Sequence, residues 1–592
     1  MKQFFKFLLA SFTGTILSFL FLLFVFAGML SALISSAEKQ AVKVKENSVL
    51  YISFEAPIPD RTSKDPFQNI DFMTFKPSQS IGMNDILKNL DKAAADPNIA
   101  GIYMELSNVD AGMANLEEIR EKLLQFKESG KFIVSYGETY SQSAYFLASV
   151  ADEIYMNPDG GLMFKGMIAQ LTFLKNMLGK LEVEPQIVRG PNNKYKSAVE
   201  PLILEKMSEA NREQMEKILG TTWANYLEKI SQSRNISITN LNQYADDLAT
   251  ASNEKSVELG FVDGLKYKDE VLALLREKTG KGAKDKIESV TLAKYTNATV
   301  EKPKSSKNKV AVVYAVGEIS DGEGSETAIG SEDLSKLIRK LREDDKVKAI
   351  VMRVNSPGGS ALASEVIRRE VELARKEKPF IVSMGNVAAS GGYWISTNSD
   401  FIFADPATIT GSIGVFGVIP NLQKLFNNKL GITFDKVMTN KNADLMDVME
   451  PIKPYHMEVI NREITRIYDD FITLVADTRG LRKTYVDSIA QGRVWTGQDA
   501  LGIGLVDSIG GLQHAIAYAA QKANLGDDYR VVEQPEQIDP IRKLIQDMGG
   551  VNSGKRALKA QLGDYYQYVE YIEQMSRMKG VQARLPFMMT IN

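Results

Sequence analysis

Short apolar runs alternate with amphipathic stretches along most of this chain. Val310-Ala311-Val312-Val313-Tyr314-Ala315-Val316 is apolar and partly β-branched, as a buried strand is. Residues 334–341 carry apolar positions at helical spacing with charges on the other face. Ala349-Ile350-Val351-Met352-Arg353-Val354 predicts the next strand and runs into Asn355-Ser356-Pro357-Gly358-Gly359. Residues 365–378 predict a helix and Phe380-Ile381-Val382-Ser383-Met384 a strand. Strands that alternate with helices predict α/β layered domains.

One apolar run is of a different kind. Lys2 and Lys6 precede an uncharged stretch over residues 7–37. A bilayer core takes about 20 apolar residues as a helix, whereas a cleaved signal peptide has an apolar region of about 7–15. The stretch therefore predicts a retained single-pass anchor, although Ser35-Ser36-Ala37 would also admit cleavage. The lysines ahead of it predict a cytoplasmic N-terminus, with the rest of the chain across the membrane.

The pattern also repeats. Phe132-Ile133-Val134-Ser135 recurs as Phe380-Ile381-Val382-Ser383, an offset of 248 residues. The same offset carries Asp85 onto Asp333, Gly137 onto Gly385, Tyr145 onto Tyr393, Asp152 onto Asp400 and Pro158 onto Pro406. At an offset of 250, Glu200-Pro201 meets Glu450-Pro451 and Asn211-Arg212-Glu213 meets Asn461-Arg462-Glu463. So near-constant a register over separate segments marks an internal duplication. The organisation expected is a stub and anchor at 1–46, a first repeat at 47–278, a polar linker at 279–308, a second repeat at 309–530 and an extension without counterpart at 531–592. The linker includes Glu301-Lys302-Pro303-Lys304-Ser305-Ser306-Lys307-Asn308.

Composition narrows the chemistry. A net charge of −3 over 592 residues gives no basic face for nucleic acid. The absence of cysteine excludes disulfides and thiolate metal sites. Neither a metal nor a cofactor is expected. His456 and His514 are the two histidines, so the usual hydrolase base is scarce.

Three segments could carry chemistry. Asn386-Val387-Ala388-Ala389-Ser390-Gly391-Gly392-Tyr393-Trp394 sets a serine between small residues at a strand-to-helix turn. Such a serine is sterically open, and the helix N-terminus offers N–H groups to an oxyanion. Taken alone, the segment reads more readily as close helix packing. The glycine turn at 355–359 could present further N–H groups or be an ordinary loop. Thr410-Gly411-Ser412-Ile413-Gly414-Val415-Phe416-Gly417 could wall an apolar pocket, with Val415 and Phe416 lining it, or be a tight turn.

A hydroxyl needs a base to become nucleophilic. Neither histidine has a compelling context, which leaves lysine, whose pKa burial can lower by several units. In the repeat register Lys196 faces Met446, and Ser390 faces Gln142. The first half thus kept a possible base, and the second a possible nucleophile with its glycines. Solvated lysines and neutral drift would leave the same pattern.

Together, Tyr195-Lys196-Ser197-Ala198-Val199-Glu200-Pro201, Ser356-Pro357-Gly358-Gly359 and Ala389-Ser390-Gly391-Gly392-Tyr393 resemble the long, duplicated form of the signal peptide peptidase A (protease IV) family. The resemblance implies two tandem domains of the Clp protease and crotonase fold, built from β-β-α units. It implies a Ser–Lys dyad, with Ser390 as nucleophile and Lys196 as general base. It implies oxyanion donors in the backbone of Gly391 and of Gly358 or Gly359. It further implies a homotetramer on the outer face of the plasma (inner) membrane that degrades signal peptides and other hydrophobic peptides. Three rival readings are an acyl-CoA-processing enzyme of crotonase type, a non-catalytic scaffold, and a serine protease using His456.

Overall fold

The computed structural model describes residues 2–37, 42–63, 70–71, 76–77, 80–298, 306–325, 327–537 and 581–585. Each repeat folds around its own sheet. In the first, the strands run Gly264–Leu265, Glu153–Leu162, Phe132–Tyr140, Ile99–Glu105, Ser48–Ile52 and Ser289–Thr291 in spatial order, all parallel. In the second, the order is Val494–Thr496, Ile409–Gly411, Phe380–Ala389, Val347–Ser356, Lys309–Val316 and Arg530–Gln534, parallel except at the Val494–Thr496 edge.

The apolar runs explain this layering. A strand turns successive side chains to opposite faces, so a run without alternation needs cover on both sides. Ala311, Val313, Ile350, Met352 and Val382 pack with Ile338, Ile367 and Val371 of helices Ser331–Glu343 and Ala361–Arg375. Val310, Val312, Ala349, Val351 and Ile381 pack instead with Leu512, Ala515, Ile516 and Ala519 of helix Leu512–Lys522.

The duplication extends to individual hydrogen bonds. Asp152 accepts from Ile133 N, and Asp400 accepts from Phe380 N, both at 2.8 Å. The Tyr145 hydroxyl donates to Phe261 O, and that of Tyr393 to Leu505 O. Arg234 pairs with Asp263, and Arg479 with Asp507.

Three expectations need correction. The helix predicted over 365–378 runs Ala361–Arg375, because Ser360 caps it by accepting from Ala363 N at 3.2 Å. The strand predicted over 380–384 continues to Ala389, because its far end pairs with Ile409–Gly411. The stretch read as a polar linker, 279–308, also supplies core residues: Val290, Leu292 and Tyr295 are buried, and the Tyr295 hydroxyl donates to Asp96 at 2.9 Å. Residues 299–305 of that linker, and 538–580 and 586–592 of the C-terminal extension, lie outside the described residues.

A third sheet joins the halves. Its order is Ala328–Gly330, Glu318–Ser320, Gly358–Ser360, Val581–Arg584, Phe416–Asn421 and Glu184–Arg189. The last strand comes from the first repeat and runs antiparallel to Phe416–Asn421. A helix spans Lys2–Ala37 at the predicted anchor, but among the described residues no helix is long and apolar enough to cross a membrane.

Candidate active site

Strand Phe380–Ala389 delivers Ser390 to the N-terminus of helix Gly391–Ser396. Ser390 has φ 56° and ψ −111°, a conformation that costs energy in a non-glycine residue and that surrounding structure must hold in place. The hold is visible: Ser390 N donates to Gly411 O at 2.8 Å, and Ser390 O accepts from Trp394 N at 2.8 Å. The bend turns Oγ away from the helix, where it makes no side-chain cap.

Lys196 reaches this hydroxyl from the first repeat. Its Nζ lies 2.9 Å from Ser390 Oγ, 3.0 Å from Ser412 O and 2.9 Å from Ser412 Oγ. Lys196 is 1% exposed and Ser390 0%. Burial pushes the lysine amine well below its ordinary value, because the charged form loses its hydration. Among the described residues no carboxylate forms an ion pair with it to oppose that shift.

The second repeat builds the lysine's seat. A methyl group on Gly492 would collide with Lys196 Cβ, and one on Gly414 would lie 3.4 Å from its Cδ. These glycines let the stem pass. Tyr195 N donates to Gln491 O, Gly492 N to Ile413 O, and Ser412 N to Arg493 O. Arg493 also lies over the Tyr195 ring.

Buried charge locks the halves behind the site. Arg353 of the second half is 0% exposed, and its guanidinium meets Asp60 at 2.9 Å and Glu118 at 2.7 Å, both from the first. Glu117 and Asp405, again from opposite halves, are both buried and interact electrostatically. Burial pushes the Glu117 carboxyl up to about 7, and burial with the Glu117 charge raises that of Asp405.

The predicted residues fall into place unevenly. Ser390 and Lys196 meet. Gly391, Gly358 and Gly359 lie close by, with Gly391 N 2.7 Å from where a side chain on Gly358 would begin. Gly358 N donates to Ser356 Oγ at 3.1 Å. Val415 and Phe416 are buried where the chain enters strand Phe416–Asn421. His456 is apart: it contacts Asn442 at 3.2 Å and Asp444 at 3.9 Å. His514 accepts from Gly511 N. Sequence reasoning missed Ser412, Gly414 and Gly492. The first two stand inside the 410–417 motif, singled out above as a wall or a turn. Residues 412–415 join strands Ile409–Gly411 and Phe416–Asn421, and Ser412 and Gly414 hold the lysine.

The comparisons with known proteins fit this geometry. The model of peptidase family S49 matches twice, at residues 125–281 and 372–526. The chain belongs to peptidase family S49. It is 38% identical over 464 residues to "Protease 4" of Haemophilus influenzae, covering 76% of this chain and 75% of that protein. It is 33% identical over 556 residues to "Serine protease SPPA, chloroplastic" of Arabidopsis thaliana, covering 92% and 78%. Among solved structures, the match to ClpP1 of Listeria monocytogenes covers 35% of this chain and 94% of that one at 18% identity, with a TM-score of 0.23. This chain is thus a duplicated α/β serine peptidase, and the acyl-CoA and scaffold readings fall away.

Proposed function

We propose that this S49 peptidase cleaves peptides with Ser390 as nucleophile and Lys196 as general base. The observation that carries the reading is the 2.9 Å approach of Lys196 Nζ to Ser390 Oγ inside a buried site. A neutral amine has two N–H groups and one lone pair. Ser412 O and Oγ accept the two N–H groups, and the lone pair is left for the Ser390 proton. The lowered lysine pKa supports the neutral form.

In the proposed reaction, Lys196 takes the proton as Ser390 Oγ attacks the scissile carbonyl. The N–H of Gly391 and one from the Gly358-Gly359 turn stabilise the oxyanion. Lys196 then protonates the leaving amine, and water resolves the acyl-enzyme.

Signal-peptide remnants and other hydrophobic peptides are the proposed substrates, with Val415 and Phe416 lining the pocket. A relative from Enterococcus faecium, 36% identical over 240 residues, is described as a putative signal peptide peptidase SppA. An anchor at 7–37 belongs to the same proposal. It is supported by the uncharged run and by exposed Phe7, Phe12, Phe19, Phe21 and Phe24 on the helix. So do a catalytic part on the outer side of the inner membrane, a homotetramer, and the Clp/crotonase kinship of each half.

Turnover of a hydrophobic fluorogenic peptide by the detergent-solubilised chain tests the dyad. Ser390→Ala and Lys196→Ala should each lower kcat/KM by at least about 10³-fold, and His456→Ala by less than about twofold. An active Lys196→Ala beside a dead His456→Ala would overturn the base assignment.

A further inference from the structure

Lys196 sits in a short turn of the first half, where its N–H donates to Asn193 O at 3.1 Å and Ser197 N donates to Tyr195 O at 2.8 Å. Against this turn lies Gln214, on helix Glu209–Arg234 and 1% exposed. A buried amide needs partners at both of its ends. Gln214 Nε2 donates to Ser197 Oγ at 2.9 Å, to Asn211 Oδ1 at 3.0 Å and, more weakly, to Tyr195 O at 3.3 Å. It thus grips the residues on both sides of Lys196. Ser197 Oγ donates in turn to Asn211 Oδ1 at 3.0 Å, and Asn211 Nδ2 to Glu200 at 2.9 Å.

The other end of the amide belongs to the second half. Gln214 Oε1 accepts from Val494 N at 3.3 Å. Val494 opens the edge strand Val494–Thr496, and an edge strand presents N–H groups that lack a strand partner. Val494 pairs with Gly411, whose carbonyl accepts from Ser390 N at 2.8 Å. Ser412, which holds the lysine amine, is the next residue. One side chain therefore joins the turn that carries Lys196 to the strand pair that fixes Ser390.

The duplication supplies an independent observation. At the offset of 250 residues Glu200 meets Glu450 and Asn211 meets Asn461, but Gln214 meets Ile464. Ile464 is 0% exposed and belongs to the apolar core of the second half. The same offset sets Lys196 against Met446. The copy that has the lysine has the amide, and the copy without it has an aliphatic side chain.

We infer that Gln214 is a positioning residue for the general base, which sets Lys196 within reach of Ser390 by holding the lysine turn to strand Val494–Thr496. The inference rests on the proposed dyad. None of the hydrogen bonds of Gln214 goes to Lys196 Nζ or Ser390 Oγ, so it acts through the turn. Its amide is neutral, so it adds no anion that would keep the lysine protonated. The carboxylates next to it in the chain have other partners: Glu200 accepts from Ser208 Oγ and Asn211 Nδ2, and Glu213 pairs with Arg493 at 3.0 Å.

The test is peptide turnover by the detergent-solubilised full chain carrying Gln214→Met, Ser197→Ala, both together, or Lys196→Ala. Methionine keeps the length of glutamine and lacks its N–H and carbonyl groups. Gln214→Met should lower kcat about 10²-fold, with KM changed less than about threefold. The rise of kcat/KM with pH should move upward by about one unit or more, because a loosened Lys196 regains hydration. A purely structural loss would reduce the active fraction and leave that midpoint in place. Ser197→Ala removes a single hydroxyl and stands in where Gln214→Met does not fold. It should lower kcat about fivefold and move the midpoint the same way. The double variant should be no slower than Gln214→Met, since both changes break one contact. An unchanged kcat or midpoint in the single variants, or additive losses in the double variant, beside an inactive Lys196→Ala would overturn this inference alone. An active Lys196→Ala would overturn the dyad and the inference with it.

Discussion

The two halves share a scaffold and differ at the positions of Lys196 and Ser390, where the proposed chemistry is done. Both carry the carboxylate that caps a central strand, Asp152 and Asp400, and the tyrosine that ties a helix to a later loop, Tyr145 and Tyr393. At the position that corresponds to Ser390 the first half has Gln142. Its side chain accepts from Lys165 N and Gly166 N and donates to Gly166 O, so it fastens a loop. The second half has Ser390 at positive φ with its hydroxyl turned toward Lys196. Conversely, the second half has the half-exposed Met446 where the first has the buried Lys196. With the proposed dyad, a duplicated fold kept its scaffold twice and its chemistry once, divided between the copies. On that reading neither half is complete alone, and the Arg353 ion pairs with Asp60 and Glu118 tie the half that holds Ser390 to the half that holds Lys196.

Exchanging what the halves hold should have the largest effect. Lys196→Met gives the first half the residue of the second, and turnover should fall by at least about 10³-fold with the circular dichroism spectrum unchanged. Breaking the lock comes next. Arg353→Met strands Asp60 and Glu118 as buried charges, and urea unfolding should show about 3–5 kcal/mol less stability. Gly492→Ala sharpens the comparison at the seat of the lysine. The added methyl meets Lys196 Cβ, and a displacement near 1 Å costs about 10²-fold in kcat, read at saturating peptide.

The pH dependence gives the finer effects. The reaction needs neutral Lys196, so kcat/KM should rise with pH through its lowered pKa. The midpoint of the rise should lie well below about 10.4, the ordinary lysine value. The Glu117 carboxyl is raised in the folded chain, so the protonated form is the one folding favours. Its contribution to stability is fully present below the unfolded value of about 4.3, and is lost as pH rises through about 7. Glu117→Gln should therefore lessen the fall in Tm between pH 5 and pH 8.

Local patterning gave the buried strands, the duplication and the serine turn, because side-chain period, β-branching and glycine act within a few residues of themselves. It placed Ser390 correctly at the end of a strand, though it stopped that strand at Met384 rather than Ala389. The polar composition of 279–308 hid Val290, Leu292 and Tyr295, since three apolar residues among many polar ones look like solvated chain until a sheet edge receives them. What the sequence could nominate, but only the tertiary structure decided, is the pairing of Lys196 with Ser390 across 194 residues. An amine becomes a base only where burial removes its hydration. The burying atoms here, Ser412, Gly414 and Gly492, come from the other half. The tail strand is a sharper case. Val581-Gln582-Ala583-Arg584 has no motif and no counterpart in the first repeat. Its meaning lies wholly in the two strand edges it joins, because backbone pairing is blind to sequence.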